Sequence, residues 1–160
     1  MKKTFLISFL LLNTVFAFSQ KQMPNVNLVD NNNQSFNVQN DFNEKDKLYV
    51  FAFWATWCVP CLNELDAINE HYATWKEELN MELVAVSIDD SRTQKRVKPL
   101  LNGKKWTYSI LLDTNQDLKR ALSIANVPYT LVVKNQKIVY IHNGYSQGAE
   151  IELYNKLKEL

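Results

Sequence analysis

Two cysteines, Cys58 and Cys61, are the only ones in this 160-residue chain, and two residues separate them. A pair with this spacing can exchange disulfides, because the thiolate of one cysteine attacks a substrate sulfur and the other cysteine resolves the mixed disulfide. A purely structural disulfide would close a very short loop and constrain the unfolded chain little. A zinc site needs two further ligands, and neither His71 nor His142 has a ligand-like spacing to the pair. The pair therefore predicts redox chemistry and no metal.

The segments on either side of the pair indicate how its reactivity would arise. Residues 48–53 form an apolar run without a turn residue, which is typical of a strand buried on both faces. From about residue 60 to 80, apolar residues recur at every third or fourth position, which predicts a helix with one buried face. That face would comprise Leu62, Leu65, Ile68, Tyr72, Trp75 and Leu79.

The cysteine pair would then lie at the start of this helix. Unpaired N–H groups and the helix dipole favour a thiolate at that position. We expect Cys58 to be the exposed nucleophile and Cys61, one turn further along, to be the shielded resolving thiol. Pro60 falls in the first helical turn, where a backbone N–H has no partner within the helix, so the N–H that proline lacks costs no hydrogen bond.

Glu64 follows Cys61 by three residues, so the two side chains would lie on neighbouring turns of one helix face. Cys61 must lose a proton when it attacks the mixed disulfide, and a nearby carboxylate can accept it. Burial would raise the pKa of Glu64 towards the range that suits proton exchange. The alternative is a first-turn acid that only stabilises the helix dipole.

The stretch as a whole resembles the active site of the thioredoxin superfamily. More narrowly, it is similar to the extracytoplasmic thiol-disulfide oxidoreductases of the TlpA and ResA type, whose motif is Phe-Trp-x-x-Trp-Cys-x-x-Cys followed three residues later by Glu. The matching residues here are Phe53, Trp54, Trp57, Cys58, Cys61 and Glu64.

This resemblance implies an α/β thioredoxin-like fold with a central mixed β-sheet flanked by helices. It also implies an N-terminal β-hairpin and an inserted helix–strand unit between about residues 91 and 112. The implied activity is the reduction of disulfides in exported proteins, with no cofactor beyond the redox-active Cys58–Cys61 disulfide. The family's corresponding glutamate supports the proton-transfer role of Glu64.

The rest of the chain fits this fold, since strands alternate with helices as in a mainly parallel sheet. Asp89, Asp90 and Ser91 are candidate N-caps for the first inserted helix. The closing helix would bury Ile151, Tyr154 and Leu157. Further strands are predicted near residues 26–29, 35–38, 83–86, 108–112, 131–133 and 138–141, and further helices near 116–124 and 149–160.

Residues expected to face a substrate lie at the cysteine pair and at a distant proline. The resemblance implies a cis peptide bond at Pro128, facing the pair, with the backbone of Val127 able to pair with an extended substrate chain. Trp57 would be a partly exposed platform beside Cys58, and Trp54 a core residue beneath the site. The predicted substrate-binding residues are Trp57, Pro60, Val127 and Pro128.

Two positions depart from related proteins. Ordinary thioredoxins carry a buried aspartate six residues before the first cysteine, where this chain has Ala52, so proton transfer would fall to Glu64. In the TlpA and ResA group a helix-kinking proline often follows the glutamate by two residues, where this chain has Asp66. The first turns of the helix are therefore expected to be straighter than in relatives.

The N-terminus resembles a secretory signal. Met1-Lys2-Lys3 is followed by a mostly apolar stretch over residues 5–18 and by small residues at Ala17-Phe18-Ser19. We predict a signal peptide at residues 1–19 and a thioredoxin-like domain at residues 20–160, exported to the periplasm. An uncleaved membrane anchor is the alternative. Outside the cytosol a reductase needs a source of electrons, and the resemblance implies a membrane-embedded thiol-disulfide donor.

Charge and composition limit the partners. Removing Lys2 and Lys3 from the 18 basic side chains leaves 16 against 17 acidic ones, and no basic stripe is visible. Nucleic acid is therefore not an expected partner. We expect a monomer that acts on protein disulfides, with cytochrome c maturation and general thiol repair both open as pathways.

Three other functions are alternatives to disulfide reduction. A peroxidase of the peroxiredoxin kind needs Thr or Ser three residues before the cysteine and Pro seven before it, where this chain has Ala55 and Phe51. An oxidase or isomerase of the same fold stays open, because the two residues between the cysteines tune the potential widely. A non-enzymatic binding module with a structural disulfide is the third alternative.

Overall fold

The computed structural model describes residues 21–160, so the predicted signal peptide at 1–19 lies outside the described residues. Over that range the chain forms a seven-stranded mixed sheet flanked by helices, in the strand order β2-β1-β5-β4-β3-β6-β7. A short 3₁₀ turn at Gln94–Arg96 precedes the second helix. The elements in chain order are β1 (Asn27–Asp30), β2 (Ser35–Asn37), β3 (Leu48–Trp54), α1 (Val59–Leu79), β4 (Met81–Ser87), α2 (Val97–Gly103), β5 (Ser109–Leu112), α3 (Asp117–Leu122), β6 (Tyr129–Lys134), β7 (Lys137–Asn143) and α4 (Ala149–Glu159).

The central strand β3 carries the site. It pairs in parallel with β4 and antiparallel with β6, and all seven of its residues are buried. This burial on both faces is the reason for its uninterrupted apolar sequence. The mixed sheet predicted from the resemblance is confirmed. None of the helices within residues 21–160 combines the length and apolar character needed to cross a membrane.

The N-terminal hairpin and the inserted unit are joined to each other. β1 pairs antiparallel with β2, and its other edge pairs with β5, the strand of the inserted unit. Asp30 organises the hairpin turn, because its Oδ1 accepts hydrogen bonds from the N–H groups of Asn32 and Gln34, each at 2.8 Å. The N-terminal hairpin and the inserted helix–strand unit implied by the resemblance are both confirmed. Strand β5 of the inserted unit supplies the sheet edge with which β1 of the hairpin pairs.

Helix α1 begins and ends close to the predicted limits. Cys58 is its N-cap, Pro60 lies in its first turn, and Asn80 closes it in a left-handed conformation with φ 44°. The helix runs unbroken past Asp66, where relatives often have proline. Asp66 instead links α1 to the inserted unit, since its carboxylate binds the Lys104 ammonium and accepts a 2.8 Å hydrogen bond from Trp106 Nε1.

The N-caps predicted at Asp89 and Ser91 are wrong, whereas Asp90 caps a single helical turn: its carbonyl accepts from the Gln94 N–H at 2.8 Å and its Oδ1 accepts from the Arg92 N–H at 3.0 Å. The chain there forms turns, and α2 begins only at Val97. Pro99 explains the late start, because proline has no N–H for the interior of a longer helix and fits only in a first turn. Asp90 pairs with Arg92 at the surface, and Asp89 is buried and bonded elsewhere.

The buried face of α4 also differs from the prediction. Ile151 is 46% exposed, whereas Leu153 and Leu157 are buried. Tyr154 stacks on Trp75 of α1 with ring centroids 5.2 Å apart, and its hydroxyl donates to a carboxylate oxygen of Glu78 at 2.6 Å. Tyr154 is thus partly buried at the edge of this face, and Ile151 turns outward.

Candidate active site

Cys58 and Cys61 form a disulfide at the junction of β3 and α1, with Cα atoms 5.3 Å apart. Cys58 Sγ accepts a hydrogen bond from the backbone N–H of Cys61 at 3.3 Å, so the sulfur faces the N-terminal amides of the helix. Cys58 is 5% exposed and Cys61 is 0% exposed. Cys58 is thus the more accessible sulfur, although it is less exposed than predicted.

This geometry suits attack at one sulfur and resolution by the other. When the pair is reduced, the amides and dipole at the start of α1 favour a thiolate at Cys58. Trp57 and Val59, the residues next to Cys58 in the sequence, are 56% and 65% exposed. The chain therefore exposes apolar surface immediately before and after Cys58. Cys61 is buried, so external disulfides do not reach it directly, and it attacks Cys58 Sγ once Cys58 is bound to a substrate sulfur.

Glu64 lies one turn beyond Cys61 and is 4% exposed. Burial raises its pKa to about 7, and the nearby charge of Glu150 acts in the same direction. A hydrogen bond from the Thr130 hydroxyl to Glu64 Oε1, 3.0 Å long, opposes this rise because it favours the ionised form. The first turn of α1 contains no acidic residue, so Glu64 is not the dipole-stabilising acid considered as the alternative.

Thr130 is a site residue that the sequence analysis missed. It is buried in β6 and pairs with Ala52 of β3, the position of the aspartate in ordinary thioredoxins. Residues directly opposite each other in paired strands point to the same face of the sheet, so the Thr130 hydroxyl shares a face with Ala52. The available signal was its place two residues after Pro128, at the start of a buried strand.

The peptide bond between Val127 and Pro128 is cis, as the resemblance implies. Phe53 pairs with Tyr129, so Pro128 lies at the same end of the sheet as the cysteine pair. A shallow groove runs along this loop and includes Val127, Pro128, Tyr129 and Gly144. Pairing of Val127 with a substrate chain stays a prediction.

The remaining predicted residues lie in different environments. Trp57 is largely exposed, and Pro60 is also exposed and borders a second groove with Glu70, Tyr145 and Glu150. Trp54 is fully buried and packs edge to face against Trp106, with ring centroids 5.3 Å apart. Trp54 is therefore part of the core, as expected.

Comparison with known proteins shows the family of this chain and its similar sequences. The profile of the AhpC/TSA family matches residues 19–141. Thiol-disulfide oxidoreductase ResA from Oceanobacillus iheyensis is 35% identical over 96 residues, 59% of this chain and 48% of the relative. Thiol-disulfide oxidoreductase ResA from Bacillus thuringiensis subsp. konkukian is 26% identical over 137 residues, 85% of this chain and 76% of the relative.

A solved structure is also similar to this chain. An uncharacterized thioredoxin-like protein from Porphyromonas gingivalis has a TM-score of 0.74 and 42% identity, covering 86% of this chain and 90% of that chain. The alignment with the Oceanobacillus protein spans only about half of that protein's length, 48%.

The sheet, the disulfide at the start of α1 and these similarities define a thioredoxin-like protein, whose curated relatives are named thiol-disulfide oxidoreductases. The chain belongs to the AhpC/TSA family, and its curated relatives are ResA proteins, which confirms the resemblance to the TlpA and ResA group. Membership of this family does not bring the peroxidase motif, because Ala55 and Phe51 occupy its key positions.

Proposed function

We propose that the protein reduces disulfides of exported proteins by dithiol–disulfide exchange through Cys58-Val59-Pro60-Cys61. The observation that carries this proposal is the cysteine pair at the start of α1, with the buried carboxyl group of Glu64 one turn behind it. An accessible nucleophile, a shielded resolving thiol and a group able to take a proton near neutral pH are the parts that the reaction needs.

The reaction begins with the reduced protein. The Cys58 thiolate attacks one sulfur of a substrate disulfide, forming a mixed disulfide and releasing the other substrate sulfur as a thiolate, which takes up a proton. Cys61 then gives its proton to the Glu64 carboxylate and attacks Cys58 Sγ. The Cys58–Cys61 disulfide forms, the second substrate sulfur leaves as a thiolate and takes up a proton, and two electrons have passed to the substrate.

Substrate contact is assigned to the exposed surface around the pair. Trp57 and Pro60 are exposed beside Cys58, and the groove at Val127 and Pro128 lies at the same end of the sheet. An extended substrate segment would lie along that groove, with its disulfide at Cys58. We assign no metal and no cofactor beyond the disulfide itself.

The cellular setting is part of the same proposal. Residues 1–19 would direct export to the periplasm, a membrane thiol-disulfide donor would return electrons to Cys58–Cys61, and the protein would act as a monomer. Fractionation of the producing cells, with and without residues 1–19, tests the export. Loss of the periplasmic fraction on deletion is expected, and an unchanged distribution would remove this part.

The reduction potential of the Cys58–Cys61 pair tests the direction of the reaction. Equilibration with glutathione or dithiothreitol is expected to give a value near the roughly −270 mV of thioredoxin. A value near about −120 mV would make the protein an oxidant. A value far below both, together with a Cys58 that resists thiol trapping after denaturant-free reduction, would indicate a structural disulfide.

A further inference from the structure

Asp89 is a buried carboxylate that the reaction as described does not use. It follows β4 and is 2% exposed. Its Oδ2 accepts hydrogen bonds from the backbone N–H of Thr56 at 2.8 Å and from Ser87 Oγ at 2.9 Å, and its Oδ1 accepts one from Thr56 Oγ1 at 2.7 Å. None of the ion pairs formed within residues 21–160 involves Asp89. Its hydrogen bonds are thus directed at one short loop and one neighbouring hydroxyl.

That loop presents Cys58. The backbone N–H of Cys58 donates to the carbonyl of Ala55 at 3.0 Å, forming a turn around Thr56 and Trp57. Asp89 holds this turn at Thr56 through both the backbone and the side chain, 33 residues away in sequence. Trp57 is largely exposed, so the bonds at Thr56 anchor the middle of the turn, while the Ile88 N–H, donating to the Trp54 carbonyl at 2.8 Å, holds its base. The hydrogen bonds of Asp89 therefore reach the turn that presents the nucleophilic sulfur.

The donor pattern calls for an ionised carboxylate. Three donors converge on the two oxygens, and a carboxylate accepts all of them without supplying a hydrogen of its own. The carboxylate binds the turn that ends at Cys58, so its charge belongs to the surroundings of the nucleophile. A negative charge near a thiol disfavours the thiolate, and disfavouring the thiolate makes the disulfide relatively more stable.

We propose that Asp89 is a positioning residue of the disulfide exchange, which holds the Thr56–Trp57 turn for attack by Cys58 and, through its charge, makes the Cys58–Cys61 pair more reducing. The charge opposes the effect of the α1 N-terminus, which favours the thiolate and hence an oxidising pair. The proposal rests on dithiol exchange at Cys58 and deepens it by naming a residue that biases its direction.

The variant Asp89→Asn separates charge from position. Its amide oxygen can accept from the Thr56 N–H and Ser87 Oγ, and its NH₂ group can donate to Thr56 Oγ1, so the loop stays tied while the charge is lost. We expect the equilibrium with glutathione, measured at pH 8 on the protein exported and purified with its disulfide intact, to shift about tenfold towards the dithiol. Tenfold corresponds to about 30 mV in a two-electron couple.

Asp113→Asn is the matched control. Asp113 is 1% exposed at the end of the neighbouring strand β5, and its oxygens accept from the N–H groups of Leu118 and Lys119 in α3. The Asp113→Asn variant also loses a buried carboxylate, but Asp113 does not contact the Thr56–Trp57 turn. No shift of the glutathione equilibrium is expected for this variant. Equal shifts in the two variants, or no shift in Asp89→Asn, would overturn the charge effect.

Thr56→Val tests positioning and does not depend on the folding of the Asp89 variant. It removes the hydroxyl bond to Asp89 and keeps both the charge and the backbone bond. Alkylation of reduced Cys58 by iodoacetamide should slow severalfold while the glutathione equilibrium stays within twofold. An unchanged alkylation rate would remove the positioning role. Both readouts use small reagents, so they are informative even if the protein proves not to reduce protein substrates.

Discussion

The buried carboxyl group of Glu64 predicts a stability that depends on pH in an unusual direction. Its pKa is raised by burial from the ordinary 4.5 to about 7, so between these values the folded protein holds a proton that the unfolded chain has released. The free energy of unfolding therefore falls as pH rises through this window. Full displacement of the pKa corresponds to about 3 kcal/mol, which is a large part of the stability of a typical domain.

The perturbation is Glu64→Gln, which keeps the shape of the side chain and removes its titration. The amide oxygen of the substituted side chain can still accept the hydrogen bond from Thr130 Oγ1. We expect the variant to gain stability relative to the natural protein as pH rises from about 4.5 to 8, by up to about 3 kcal/mol. Urea unfolding of the oxidised protein at a series of pH values, followed by tryptophan fluorescence, measures this difference.

The control is Glu77→Gln, which changes an exposed glutamate on the same helix. Its stability relative to the natural protein should change by only a few tenths of a kcal/mol over the same pH range, because surface substitutions usually stay within about 0.5 kcal/mol. A flat difference for Glu64→Gln, or one that declines with rising pH, would show that the carboxyl group is ionised in the folded protein and refute the argument.

Three further outcomes follow from the site. Thr130→Val removes the hydrogen bond that favours ionised Glu64. The pH midpoint of the resolving step, measured by stopped-flow release of a peptide thiol, should therefore move upward; an unmoved or lower midpoint would contradict the role of this hydrogen bond. Cys61→Ser should accumulate a mixed disulfide with a peptide substrate, whereas Cys58→Ser should form none, and the reverse pattern on non-reducing gels would exchange the two roles. Trp57→Ala should raise KM for a peptide disulfide severalfold with little change in the urea midpoint, since the side chain is 56% exposed; an unchanged KM would remove Trp57 from the substrate surface.

The sequence alone predicted the reactive pair and its immediate setting. The apolar run of β3, the period of α1 and the spacing of Cys58, Cys61 and Glu64 are local features, so their geometry follows from the repeat of a strand or a helix. The burial of Glu64 was also accessible from sequence, because it shares the α1 face that carries Leu65 and Ile68. The resemblance added the cis bond at Pro128, which local rules do not predict.

Local rules failed where a side chain had both a local and a distant partner available. Asp89 has the residue type and position of an N-cap, and only the pairing of β4 with β3 brings it under Thr56. Ile151 fits the apolar period of α4, yet it is 46% exposed, while Leu153 is buried and Tyr154 stacks on Trp75 of α1. In both cases contacts between elements distant in sequence outweighed the local preference, for an N-cap at Asp89 and for a buried position at Ile151.

The sequence alone predicts a cysteine pair at a strand–helix junction, because helix and strand periods act over neighbouring residues. The side chains that surround this pair are set by contacts between strands that are distant in sequence. Thr130 reaches Glu64 across 66 residues and Asp89 reaches Thr56 across 33, through the strand order of the sheet. Hydrogen bonds between residues so distant in sequence exist only after the strands have paired, so no local pattern can specify them.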